Sequence, residues 1–302
     1  MTALPQNHTA RAGLYMVVTT ACFVGGDTCI KLIGVTLPLG QIIGLIGLLS
    51  TVFLSIICAQ QGILNNATLI FSRHVLLRSL LDVMGSFMFV AALMHMPIAN
   101  LSSVMQSVPL VVVAVGVIIL GERAGLVRAA AVGVGFIGVL LIVKPMPQTI
   151  SIYEFLALGT VVVVALRDLV TKRIGSHVPL LIVALANAIF ISLSGFGFGL
   201  VQGFYSIETW QLELLIGAGV LVTCGYIFIV ATVRLGELSA TAPFRYAEVV
   251  FAIIAGILVF GEYPDLLSYI GMALVIAAGL YAAHHEAARA HDAKAGYMPP
   301  AF

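Results

Sequence analysis

The sequence predicts an all-α integral membrane protein: ten transmembrane helices arranged as two inverted five-helix repeats. Three observations predict it. Of the 302 residues 61% are hydrophobic and 9% charged, against roughly 45–50% and 25% in soluble domains. Apolar runs of about 20 residues, the length that crosses a bilayer, recur along the whole chain. A set of polar and glycine positions also repeats between the halves.

The candidate spans lie at 13–35, 38–59, 75–95, 98–120, 127–143, 153–173, 179–201, 212–233, 239–260 and 266–283. Tight punctuation separates several of them, at Pro38, Pro97, Pro145 with Pro147, Pro179, Gly236 and Pro264. Pro38 and Pro179 suit a first helical turn, where a missing N–H is no loss. Gln60–Asn66 and Gln202–Gln211 read as the longest interior loops, and the residues before Arg11 and the stretch Glu286–Phe302 as tails without fixed structure. With the N-terminus in the cytoplasm, the inner loops and flanks hold Arg11, Arg73, Arg78, Arg123, Arg128, Lys172, Arg173, Arg234, Arg289 and Lys294. The outer side holds Lys31 and Lys144. That asymmetry places both termini in the cytoplasm. Arg11 precedes a span too long for the core of a signal peptide, so none is expected.

The repeat rests on register. Asp27, Lys31, Gly34 and Pro38 match Asp168, Lys172, Gly175 and Pro179 at one ungapped offset. At nearly the same offset Gly85 matches Gly225, Val90-Ala91 matches Val230-Ala231, and Gly116 with Gly121-Glu122 matches Gly256 with Gly261-Glu262. Five spans per copy is an odd number, so the second copy enters the membrane upside down, as in many secondary transporters. The units expected are 13–143, 153–283 and a cytoplasmic tail, 284–302.

Charges inside spans mark the candidate site, because each costs about 2.5–3.5 kcal/mol at bilayer depth and so faces a bundle interior or wet cavity. Arg245 and Glu248, three apart around Tyr246, are the sharpest pair. In one reading Arg245 offers a planar fork to a carboxylate while Glu248 accepts an amine or a coupling proton; in the other the two neutralise each other. Asp27 follows Gly25-Gly26, where a helix loosens, and has Lys31 one turn on as a ready salt-bridge partner. Asp82 lies one turn beyond Arg78, deeper in its span; Gln106 is the register partner of Tyr246. Arg167 and Asp168 are weaker candidates near a membrane edge. Glu122 and Glu262 follow glycine at duplicated span ends and read as capping or gating groups. Gly133, Gly135, Gly138 and Gly271 read as close helix packing. Phe87, Phe89, Tyr226 and Phe228 read as membrane aromatics that also suit a cavity wall.

Other chemistry has no foothold in the sequence. The net charge of +1 gives no basis for nucleic-acid binding. Cys22, Cys29, Cys58 and Cys224 sit in apolar stretches without metal-ligand spacing and read as reduced core residues. Nucleophile elbow, Walker loop and dinucleotide fingerprint are all missing, so the chain does not read as an enzyme or as an ATP-driven pump by itself.

The duplicated spans ending in Gly121-Glu122 and Gly261-Glu262, with LLRSLLDVMGSFMFVAALMHMPIANLSSVMQSVPL at 76–110 and YIGMALVIAAGLY at 269–281, resemble the ten-helix EamA family of the drug/metabolite transporter superfamily. The resemblance runs from about 13 to 283. It implies a central cavity open alternately to each side and cargo among amino acids, nucleosides, cofactors and other small metabolites. Two stretches depart from the family pattern. Gln41 and Leu45-Ile46 replace charged residues common in the second span, and Val249 stands where a proline is frequent.

The function expected is therefore a secondary transporter in the cell inner membrane, exporting or exchanging a small polar metabolite. Amino acids or analogues come first, because paired acids and bases suit zwitterions. Uptake of a cofactor-like or nucleoside-like solute is the alternative, with a membrane-embedded enzyme or scaffold more remote. The substrate-binding residues expected are Asp27, Asp82, Gln106, Arg245, Tyr246 and Glu248. No catalytic or metal site and no cofactor is expected, with proton coupling through Glu248 the one accessory chemistry. The partners expected are the solute and the bilayer, for a monomer or homodimer.

Overall fold

The structure is a computed structural model that describes residues 6–112, 114, 126–144, 151–175, 177–235 and 238–295. Among these, every long element is a helix and no strand occurs. The helices are α1 (Gln6–Ile33), α2 (Leu39–Gln60), α3 (Arg73–Leu93), α4 (Ile98–Met105), α5 (Leu126–Val143), α6 (Ile152–Thr171), α7 (Leu180–Gln202), α8 (Thr209–Leu235), α9 (Leu238–Arg245), α10 (Ala247–Ala255) and α11 (Leu266–Ala295). Pro38, Pro97 and Pro179 sit at the N-caps of α2, α4 and α7, where no backbone N–H is needed. Ser151 and Glu154 close a reciprocal capping box at the start of α6.

Six helical segments are long and apolar enough to cross a membrane, and three shorter apolar ones accompany them. α6 has the length but carries Glu154, Arg167 and Asp168. Leu193, Leu200, Val201 and Leu258 are exposed on the outer surface, as lipid contact requires. The chain is thus a multi-pass membrane protein. Two stretches differ from the sequence expectation. The loop expected at Gln60–Asn66 gives way to a 3-10 helix, Ile63–Phe71. The tails expected to lack structure are helical from Gln6 and as far as Ala295, because the alanine-rich run after Tyr281 is strongly helix-forming. Gly116, Gly121 and Glu122 lie outside the described residues.

Helices pair across the two halves: α1 with α8, α2 with α7, α3 with α6, α5 with α11, and α4 with α10. Glycine permits the closest of these crossings. A Cβ on Gly195 would come within 2.3 Å of the Gly44 nitrogen, joining α2 to α7. One on Gly138 would come within 2.8 Å of the Gly271 carbonyl, joining α5 to α11. Gln41 serves the scaffold. It donates to the Tyr205 carbonyl and accepts from the Tyr205 N–H, both at 2.9 Å, pinning the turn after α7.

Candidate substrate cavity

Between the halves lies one cavity with two lobes, of about 230 Å³ and about 470 Å³. Asp27, Phe89, Met105, Arg167, Val222 and Tyr226 line both. The first lobe continues to Ile46 and Ser50 of α2 and Asn187 of α7. The second reaches Arg78, Thr171, Leu180 and Arg245 near helix ends. Position by position, Met105 and Val108 from one half line the same lobe as Arg245 and Glu248 from the other.

The expected site residues separate into three groups. Asp82 is buried within a chain of charges. Arg167 donates from Nη1 to its Oδ1 at 2.9 Å, and from Nη2 to Asp168 Oδ1 at 2.7 Å. Arg78 Nη1 lies 2.6 Å from Asp82 Oδ2. That contact is ionic only, since neither atom has a hydrogen-bond partner. Two arginines and two aspartates therefore cancel, and Arg78 Nε is further held by Thr171 Oγ1 at 3.2 Å.

Glu248 and Gln106 form the second group. Gln106 is 3% exposed, and its Nε2 donates to Glu248 Oε2 at 2.9 Å. Arg245 is exposed at the cavity wall and makes no ion pair with Glu248 among the described residues. Pro243 lies inside α9, and Tyr246 interrupts the helix between α9 and α10. The Tyr246 ring leaves the cavity and seats its hydroxyl against Gly279 of α11.

Asp27 is the third. It lines both lobes and has neither a hydrogen bond nor an ion pair among the described residues. Lys31, one turn on, is committed elsewhere: its Nζ pairs with Glu262, donates to the Met96 carbonyl at 2.6 Å and lies 4.9 Å from the Phe260 ring centre. Glu262 uses its other oxygen to accept from the Ile98 N–H at 3.0 Å, capping α4. A nearby surface pair joins Lys144 to Asp265; Lys144 and Ser268 hold the Asp265 carboxyl down to about 2, so it stays ionised in any physiological medium.

Gly261 explains how Glu262 reaches α4. Its φ of +64° turns the chain out of the Gly256–Phe260 π-helical turn, and Glu262 N–H returns to the Gly256 carbonyl at 2.9 Å. An L side chain costs about 1–2 kcal/mol in that left-handed region. Gly261→Ala is expected to lower thermal stability by about that amount. An unchanged melting temperature in detergent would count against a left-handed turn at Gly261.

Asn187, a lone asparagine in an apolar span, is a cavity residue that sequence reasoning misses. It is 3% exposed, lines the cavity, donates weakly to the Tyr226 hydroxyl at 3.4 Å and leaves Oδ1 without a partner. Arg167 matters more than its sequence position suggests, because its partner Asp82 lies in another helix. Of the four aromatics considered, Phe89 and Tyr226 line the cavity. Phe87 instead packs edge-on against Phe198, and Phe228 leans on Tyr15.

The EamA-like transporter family model matches residues 10–144 and 151–282. The chain belongs to the EamA-like transporter family. It is 27% identical over 218 residues to a riboflavin transporter of Rhizobium johnstonii, covering 72% of each chain. It is 26% identical to an S-adenosylmethionine uptake transporter of Rickettsia prowazekii, over 70% of this chain and 72% of that one. A pseudopaline exporter of Pseudomonas aeruginosa is 24% identical over 88% of this chain and 93% of its own. One solved crystal structure shares the fold, with a TM-score of 0.61 at 15% identity over 90% of this chain and 96% of its own. This EamA protein is accordingly a small-molecule transporter, not an enzyme.

Proposed function

We propose that this EamA protein is a secondary transporter of the cell inner membrane that exports or exchanges small polar metabolites, amino acids or analogues first, by alternating access. The observation that carries this reading is the cavity between the halves, where Asp27, Glu248 and Arg245 offer both signs of charge to one solute. Ten spans form two inverted repeats, 13–143 and 153–283, with both termini and the tail 284–302 in the cytoplasm. The helix pairing supports the inversion. Exchanging the halves turns the α1–α8 pair into the α6–α3 pair and maps α2–α7, α4–α10 and α5–α11 onto themselves. The Lys31–Glu262 contact closes the outer face, and the lobe at Arg78, Thr171 and Arg245 leads inward.

A second reading, uptake of a cofactor-like or nucleoside-like solute, draws support from the relatives named for riboflavin and S-adenosylmethionine. The aromatic wall of Phe23, Phe89 and Tyr226 suits a flat ring system. Liposomes loaded with a panel of labelled metabolites, with and without a pH gradient, separate the two. Transport of riboflavin or a nucleoside without any amino acid would sink the first reading. Arg245→Ala and Glu248→Gln are each expected to slow transport by about 10- to 100-fold, the loss of one charge-assisted contact, at unchanged folded yield. Normal transport by both variants would leave these residues with no part in binding.

A further inference from the structure

We infer that the deep part of the cavity is a cation seat. Asp27 and Glu248 together hold one positively charged group of the cargo, and the preferred solutes carry an ammonium, guanidinium or sulfonium that no internal acid neutralises. The inference deepens the transport reading above and rests on it. Its ground is which charges are already engaged. Arg78 and Arg167 are neutralised by Asp82 and Asp168. Lys31, the cation best placed along the helix to serve Asp27, is spent on Glu262 and the Met96 carbonyl. Asp27 and Glu248 thus face the same lobe with one glutamine hydrogen bond between them and no ion pair among the described residues. Two carboxylates in one low-dielectric space repel each other, and a cation between them removes that cost.

An independent observation points to a ligand in the adjoining lobe, which Asp27 also lines. Asn187 is almost wholly buried, lines the cavity and leaves its carbonyl oxygen unpartnered. A buried acceptor without a donor is costly, and an ammonium N–H supplies one. Phe89 and Tyr226 line both lobes and Phe23 the second, and aromatic rings attract alkylated cations. Arg245, exposed at the second lobe, remains for a carboxylate at the far end of the same solute. The class that fits is an amino acid or conjugate bearing one cation beyond its zwitterion.

Pairs of near-isosteres test this on the full-length protein in detergent and in liposomes: lysine against norleucine, arginine against citrulline, and S-methylmethionine against methionine. The cationic member is expected to bind at least about tenfold more tightly, the effect of one close charge pair. Asp27→Asn or Glu248→Gln is expected to bring that ratio close to one. Equal binding within the wild-type pairs, or no binding by any cation of the panel, overturns the cation seat whether or not either variant folds; so does a ratio that survives in both variants. Transport of neutral solutes with no charge preference would leave the transporter reading standing while this one fails. Cation binding without movement of any panel solute would do the reverse.

Discussion

Asp82→Leu is expected to cost about 3–5 kcal/mol, the penalty for leaving a buried ionic partner uncompensated. Without Asp82, Arg78 and Arg167 face one another across α3 and α6 with Asp168 as the one remaining acid of the cluster. Against a typical total stability of about 5–15 kcal/mol, that loss should appear as aggregated or absent protein in size-exclusion profiles. The double variant Asp82→Leu/Arg167→Leu restores neutrality by leaving Arg78 and Asp168. It should recover part of the folded yield, with a coupling of about 1–3 kcal/mol between the sites. Independent, additive losses would show that the four charges do not act as a unit.

Lys31→Met is expected to act on conformation more than on folding. The substitution keeps most of the side-chain volume but leaves the Glu262 carboxylate with the Ile98 N–H as its one remaining partner among the described residues. A loss of about 3 kcal/mol on one side of a two-state equilibrium shifts populations by roughly 150-fold. If Lys31–Glu262 seals the outer face, an Ile46→Cys reporter in the cavity wall, in a background free of Cys22, Cys29, Cys58 and Cys224, should react much faster with an impermeant maleimide from outside. An unchanged labelling rate in well-folded protein would show that this contact does not control access.

The six long apolar helices and three shorter ones were legible because twenty apolar residues in a row have one physical use, and prolines and glycines mark where each stops. Tyr246 apart, which turns away to Gly279, the charged candidates Asp27, Asp82, Arg245 and Glu248 were legible as cavity residues too, since a charge inside such a run needs a reason. Their partners were not. Sequence spacing shows neighbours three and four residues apart, and on that ground Lys31 belongs with Asp27 and Arg245 with Glu248. The fold assigns Lys31 to Glu262, 231 positions away, and Glu248 to Gln106, 142 positions away. In the second case the spacing rule had no continuous helix to act on. Tyr246 N–H turns back to the Pro243 carbonyl and Val249 N–H to the Tyr246 carbonyl, so the ladder tightens where Arg245 and Glu248 would have met. Asn187 is hidden for the opposite reason: one neutral residue barely disturbs the hydropathy of its span.

Short helix α4 is gripped at both ends by a single segment of the other half. Glu262 holds its first residue, Ile98, and Glu248 holds Gln106 just past its last. The eight residues between form a rod of about 12 Å. The two carboxylates therefore grip one rod like two hands, Glu248 in the cavity and Glu262 at the Lys31 contact. A solute that draws Glu248 away from Gln106 loosens one hand, and the grip at Ile98 is then left to hold the rod alone. Occupancy at Glu248 and the contact of Glu262 with Lys31 would in this way be joined through the eight residues of α4, of which Met105 also lines the cavity.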